Sequence, residues 1–189
     1  RFVLLYLRLE SLKLIYTMKK INYFILSCMA MLLATTMPAQ VTVLGYFPSY
    51  RLTSVVRYDK LTDVVFAFIN PNTDGTLIEG NSWDAVYGFD MNKFLTIKAG
   101  AKSNGVNLWI ALGGADDASN RSNRLGSVCD DSKYRAQLVS DFVNFAITHE
   151  CHGIDVDWEF PKTASARTGH YNLIKDLRAA INASSNPSL

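Results

Sequence analysis

Apolar positions along this chain recur with two periods, and the two alternate. Residues 41 to 47, 63 to 69, 106 to 112 and 153 to 160 are short runs rich in Val, Ile, Phe, Tyr and Trp, the signature of buried or half-buried strands. Longer stretches with apolar residues three and four apart separate the later strands. After the second, Asp90 can cap a helix that runs to about Ser103, buries Phe94, Leu95 and Ile97, and ends at Gly105. After the third, residues 133 to 150 bring Leu138, Phe142, Phe145 and Ala146 to one face, with Val139 and Val143 beside them. Thr168 begins a last helix through Asn182, with Tyr171, Ile174, Leu177 and Ile181 as its buried stripe. Strand and helix in alternation predict an α/β fold with a parallel sheet. Residues 70 to 83 and 116 to 131 read as long polar loops after the second and third strands.

The fourth strand carries the chemistry. In His152-Gly153-Ile154-Asp155-Val156-Asp157-Trp158-Glu159-Phe160-Pro161, an acid stands at every second position from Asp155 to Glu159. Side chains of a strand alternate between faces, so Asp155, Asp157 and Glu159 share one face while Ile154, Val156, Trp158 and Phe160 pack on the other. Like charges crowded in a half-buried site cannot all ionise freely. At least one pKa is therefore expected to rise, as a general acid working near neutral pH requires.

Composition narrows the setting. At 189 residues, 49% hydrophobic and 12% aromatic, the chain is no disordered segment. Its formal charge of +2 is concentrated at the start: residues 1 to 40 hold five Lys or Arg and one Glu. Residues 41 to 189 carry 14 basic and 16 acidic side chains, a balance that leaves no basic surface for nucleic acid. Met18-Lys19-Lys20, the apolar run 21 to 36 and Met37-Pro38-Ala39-Gln40 read as a secretory signal peptide cleaved after Ala39 or Gln40. Residues 1 to 17 read as upstream sequence. No membrane anchor is expected after cleavage, since the apolar run is shorter than the roughly 20 residues of a spanning helix. Cys129 and Cys151 are expected to stay unpaired, one before a helix and the other at its far end, beyond disulfide reach. Cys151, His149, His152 and His170 lack the paired spacing of zinc ligands, so no metal is expected.

The acid segment resembles the signature of glycoside hydrolase family 18, the chitinases and related endo-β-N-acetylglucosaminidases, which reads Asp-Gly-x-Asp-x-Asp-x-Glu. Val43 to Pro48, Leu61 to Asn70 and Leu108 to Gly114 are similar to the family's first three strands, in the same order. Two positions depart from the pattern. His152 stands where the family usually has Asp, and Ala111 where it has a Ser that supports the acids.

The resemblance implies a (β/α)8 TIM barrel, of which this chain supplies about the first four strand-helix units and residues 41 to 189 form a truncated catalytic domain. Such barrels need roughly 250 residues. It also implies a secreted or periplasmic, cofactor-free glycosidase, monomeric as the full-length parent, acting on chitin or another N-acetylglucosamine-containing glycan. Glu159 would donate the proton, Asp157 would orient the substrate's acetamido group, and Asp155 behind it would share a proton. The four units alone are expected to be inactive. Tyr46, Phe47, Phe68, Gly113, Gly114 and Trp83 are the candidate substrate-binding residues. Tyr46, Phe47 or Trp83 can stack on a pyranose ring, although Trp83 equally suits loop packing and Gly113-Gly114 a turn with positive φ. Trp109, within a strand run, reads as core.

Overall fold

The computed structural model describes residues 16–23, 25, 41–50, 55–78, 89–115, 121–187 and 189, with only the backbone at 121–123. The chain divides into two compact units, residues 1–41 and 42–189. In the first, residues 16–23 and 25 are helical and exposed. Among the described residues no helix is long and apolar enough to cross a membrane. The remaining residues of the expected leader lie outside the description.

The second unit runs β1 (Leu44–Pro48), a short 3₁₀ turn (Tyr58–Lys60), β2 (Asp63–Ile69), α1 (Met91–Asn104), β3 (Asn107–Ala115), α2 (Arg121–Asp130), α3 (Ser132–Thr148), β4 (Gly153–Glu159) and α4 (Ala164–Ala183). The strands form one parallel sheet in chain order, β1-β2-β3-β4. Local chemistry fixes the helix ends. The Asp90 carboxylate accepts from Lys93 N at 3.0 Å to start α1, and Gly105, at φ 65°, closes it. Asp131 accepts from Lys133 N and Tyr134 N to start α3.

Two helices differ from expectation. Thr163 caps α4 by accepting from Ala166 N, so the helix begins before Thr168. Its buried stripe is Gly169, Leu173, Leu177 and Ile181, while Tyr171 and Ile174 face outward. The cause lies at Gly169, where a Cβ would stand 3.0 Å from Cys129 Cβ. Close approach to α2 turns the Gly169 face inward, and a residue two positions on points away. The second difference is α2 itself, in a stretch that reads as loop. Leu125, Val128 and Cys129, three or four residues apart, are all fully buried, so tertiary packing stabilises a helix that propensity alone does not announce. Arg135 of α3 ties this corner together, donating to Asp176 of α4 at 2.8 Å and to the Cys129 carbonyl at 2.7 Å. Cys129 and Cys151 are free and buried, and burial pushes each thiol up to about 12.

The sheet has two unlike faces. Val64, Phe66, Leu108, Ile110, Leu112 and Trp158 meet the helices in the main core, and the α3 residues Leu138, Val139, Phe142, Val143, Phe145 and Ala146 are buried there as their spacing predicts. Leu95 of α1 is exposed instead. The other face is lined near its lower end by Val65, Ala67 and Ala111, with Phe68 and Trp109 partly buried against them. Trp109 therefore leaves the helix-side core. Its ring fills the space that a Cβ on Gly153 would need. Its Nε1 donates to Asp63 Oδ1 at 2.8 Å.

Asp63 is an acid that the sequence pattern does not single out. Burial raises its pKa, but bonds from Thr62, Trp109 and Asn107, together with the nearby His152, leave it below the usual carboxylate range. The departure at His152 has a structural use here. Its Nδ1 accepts from Leu108 N at 3.3 Å, and its own N–H donates to Leu108 O at 2.7 Å, so it joins the first turns of β3 and β4.

Candidate active site

The parallel register sets Asp155, Asp157 and Glu159 of β4 beside Ala111, Gly113 and Ala115 of β3. All three acids are half-buried, and Trp158 between them is turned into the opposite, helix-side core, where it meets His170 edge to face. The alternation read from the sequence thus holds from Ile154 to Glu159. It stops there: Phe160, expected on the helix side, lies past the end of the strand and is 62% exposed.

Electrostatics separate the three carboxyls into a pair and a single. Asp157 is held above its ordinary pKa, first by burial, then by the charges of Glu159 and Asp155, and by a hydrogen bond with Glu159. Asp157 therefore keeps its proton to higher pH than an exposed carboxylate does. Asp155 is tied differently, accepting a 2.8 Å bond at Oδ2 from the Tyr46 hydroxyl of β1. Burial, this bond and the charges of Asp155 and Asp157 push Tyr46 up to about 12, which keeps the phenol a neutral donor.

The strip between β2 and β4 is built from small residues. Gly113 and Gly114 have φ of 113° and 91°, conformations that side chains rarely adopt. A Cβ on Gly113 would collide with the Asp157 backbone, and one on Gly114 with the Phe68 ring at 2.8 Å. They are not a loop turn but strand residues that let β4 and Phe68 come close. Phe68 reaches this face because of a register shift between Ala67 and Ile69. Simple alternation would have kept it with Phe66, which is fully buried on the helix side. The peptide bonds Ala67-Phe68 and Glu159-Phe160 are cis.

Of the expected site residues, Tyr46, Phe68, Gly113 and Gly114 gather around the three acids. Phe47 does not. It lies on the helix side of β1, 8% exposed and stacked on Phe66 with ring centroids 6.0 Å apart, because adjacent strand residues face opposite ways. Trp83 lies outside the described residues. Ala111 is fully buried next to Asp155 and offers it no hydroxyl. Two contributions were not legible in the sequence: the Tyr46 bond to Asp155, across 109 residues of chain, and Asn70, 8% exposed, whose Nδ2 donates to Gly113 O at 3.1 Å. Among the described residues no cluster of three or more His, Cys, Asp or Glu could hold a metal ion.

Removing the Tyr46 hydroxyl tests its role. In the full-length protein Tyr46→Phe is expected to lower the melting temperature by a few degrees, on the scale of a bond to a charged group, and to lower any kcat about tenfold. An unaltered kcat in the folded variant would show that Asp155 works without this donor.

The model of Glycosyl hydrolases family 18 matches residues 42–188. Nod factor hydrolase protein 1 of Medicago truncatula is 26% identical over 120 residues, which cover 64% of this chain and 30% of that protein. The class V chitinase of Nicotiana tobaccum in complex with NAG4 superposes with a TM-score of 0.63 at 20% identity, covering 76% of this chain and 40% of its own. A chitinase from Bacteroides thetaiotaomicron gives 0.60 at 19% identity, over 74% and 42% of the two chains. The chain thus spans less than half the length of each of these relatives. Its four parallel strands, alternating with helices, are the first half of a (β/α)8 barrel.

Proposed function

The chain belongs to Glycosyl hydrolases family 18, and from that premise we propose that the full-length protein is a chitinase-like glycosidase that cleaves β-1,4-linked N-acetylglucosamine polymers. The observation that carries this reading is the raised Asp157 carboxyl sharing a hydrogen bond with Glu159 on one face of β4. A binding surface has no need of a stored proton. A glycosidase needs one for the leaving oxygen.

In this mechanism Glu159, at the open end of the strand, gives its proton to the glycosidic oxygen. The substrate's acetamido oxygen attacks the anomeric carbon in place of a protein nucleophile. Asp157 orients the acetamido N–H and stabilises the positive oxazolinium ring, and Asp155, held by Tyr46, lies behind it to share a proton. Water then opens the ring, with the Glu159 carboxylate taking back a proton. Export of the protein through its basic and apolar leader is part of the same reading.

The full-length protein is expected to release fluorophore from an N,N′-diacetylchitobioside substrate. A second reading, a glycan-binding relative without turnover, is favoured by Ala111, which withholds a hydroxyl from Asp155. A folded protein that binds N-acetylglucosamine oligomers but releases no fluorophore would establish that second reading. Release of the core from N-linked glycans instead would mark an endo-β-N-acetylglucosaminidase.

A further inference from the structure

Beyond the acids, one buried polar side chain stands at the joint between the site and its rim. Asn70 comes directly after β2, 8% exposed, and makes two kinds of connection. Its carbonyl accepts from Ile78 N at 3.0 Å, closing a small hairpin in which Pro71 bridges Leu77. Its side-chain Nδ2 donates to Gly113 O at 3.1 Å. The assignment of the amide is fixed by chemistry, since the Gly113 carbonyl can only accept. Among the described residues Oδ1 is buried without a protein partner. A buried amide left half satisfied is costly, so its placement asks for a compensating role.

The position of Gly113 supplies that role. The register shift between Ala67 and Ile69 interrupts the regular ladder between β2 and β3 just before this level. The Asn70 amide supplies a side-chain bond there, fastening β3 at the residue that faces Asp157. Gly113 in turn lies against the Asp157 backbone so closely that no Cβ fits between them. We infer that Asn70 is a positioning residue: through Gly113 it sets where the Asp157 backbone lies against β3, and so where β4 presents its acids. The inference rests on the glycosidase reading for its effect on turnover, but not for its effect on Asp157.

The test uses the full-length protein with Asn70→Ala and Asn70→Asp. Asn70→Ala is expected to lower kcat about 10- to 100-fold with KM within about threefold, the scale at which small misplacements of reacting groups act. In Asn70→Asp, burial raises the pKa of the introduced carboxyl, and only its protonated form can donate to Gly113 O. Among the described residues Arg124, whose guanidinium donates to the neighbouring Pro71 carbonyl at 3.4 Å, is the same in parent and variant, and the Asp157 titration is recorded in both so that its own change is separated from that of the introduced carboxyl. The ratio of variant to parent kcat is therefore expected to rise about tenfold as pH falls through the ionisation of the introduced carboxyl.

A parental kcat in Asn70→Ala, or a ratio that is flat with pH, would overturn the inference while leaving the glycosidase reading intact. An inactive parent would sink that reading alone, and the ¹³C carboxyl titration of Asp157 then decides. A shift toward the ordinary carboxylate range in Asn70→Ala supports the positioning role. Identical curves in folded protein remove it. Should Asn70→Ala fail to fold, the Asp157 titration of Asn70→Ser, which adds no charge, is compared with the parent: a displaced curve supports the positioning role and identical curves remove it.

Discussion

On the proposed glycosidase function, Glu159→Gln in the full-length protein is expected to reduce turnover by at least about 10³-fold while binding of N-acetylglucosamine oligomers persists, because the substitution keeps the shape of the side chain and removes its proton. The neighbouring carboxyl provides an independent readout. Asp157 is raised first by burial and then by the charge of Glu159. Taking that charge away leaves burial in place but removes the largest repulsion, and an amide at position 159 can donate to ionised Asp157. The Asp157 titration should therefore move down in pH, yet stay above that of an exposed carboxylate. Carboxyl-carbon NMR on parent and variant checks the direction. Turnover within tenfold of the parent would remove Glu159 as proton donor, whatever the titration does. An Asp157 titration unmoved by the substitution would break the pair on which the mechanism stands.

Gly113→Ala is expected to damage both the fold and the site. The residue has φ 113°, where an L side chain is strained, and its added methyl would meet the Asp157 carbonyl and the Trp158 amide, backbone atoms that cannot swing aside. Strain of about 1–3 kcal/mol and overpacking of similar size together take about 2–6 kcal/mol from stability. A typical domain has about 5–15 kcal/mol. Chemical denaturation should show a midpoint lowered in that proportion, and surviving folded protein should have lost turnover as well, since the displaced strand carries the acids. Gly105→Ala serves as the comparison. It too has positive φ, 65°, but a Cβ there meets nothing within 4 Å. Its loss should be about 1 kcal/mol, with activity retained. Equal losses at the two glycines would show that backbone conformation, and not crowding against β4, makes Gly113 necessary.

Much of the architecture was legible from local pattern. Alternation on β4 gave the shared face of Asp155, Asp157 and Glu159, and Asp90, Gly105 and the α3 stripe gave helices close to those observed. Where the reading failed, a contact between distant segments had intervened. Gly169 against Cys129 rotated α4 and exposed Tyr171. Burial of Leu125 and Val128 made a helix of an apparent loop. Phe47 failed for a local reason instead: it follows Tyr46, and adjacent strand residues face opposite ways, so it went to the helices.

By itself, then, the sequence determined the order of strands and helices, the acid-bearing face of β4 and its resemblance to a glycosidase signature, because each depends on residues within a turn or two of one another. Only the tertiary structure decided which groups tune those acids. Tyr46 reaches Asp155 across 109 residues of chain, and Asn70 reaches Gly113 across 43. Such pairings depend on strand register, which fixes the height of each side chain on the sheet, and register is set by the packing of the whole sheet, out of reach of any local periodicity.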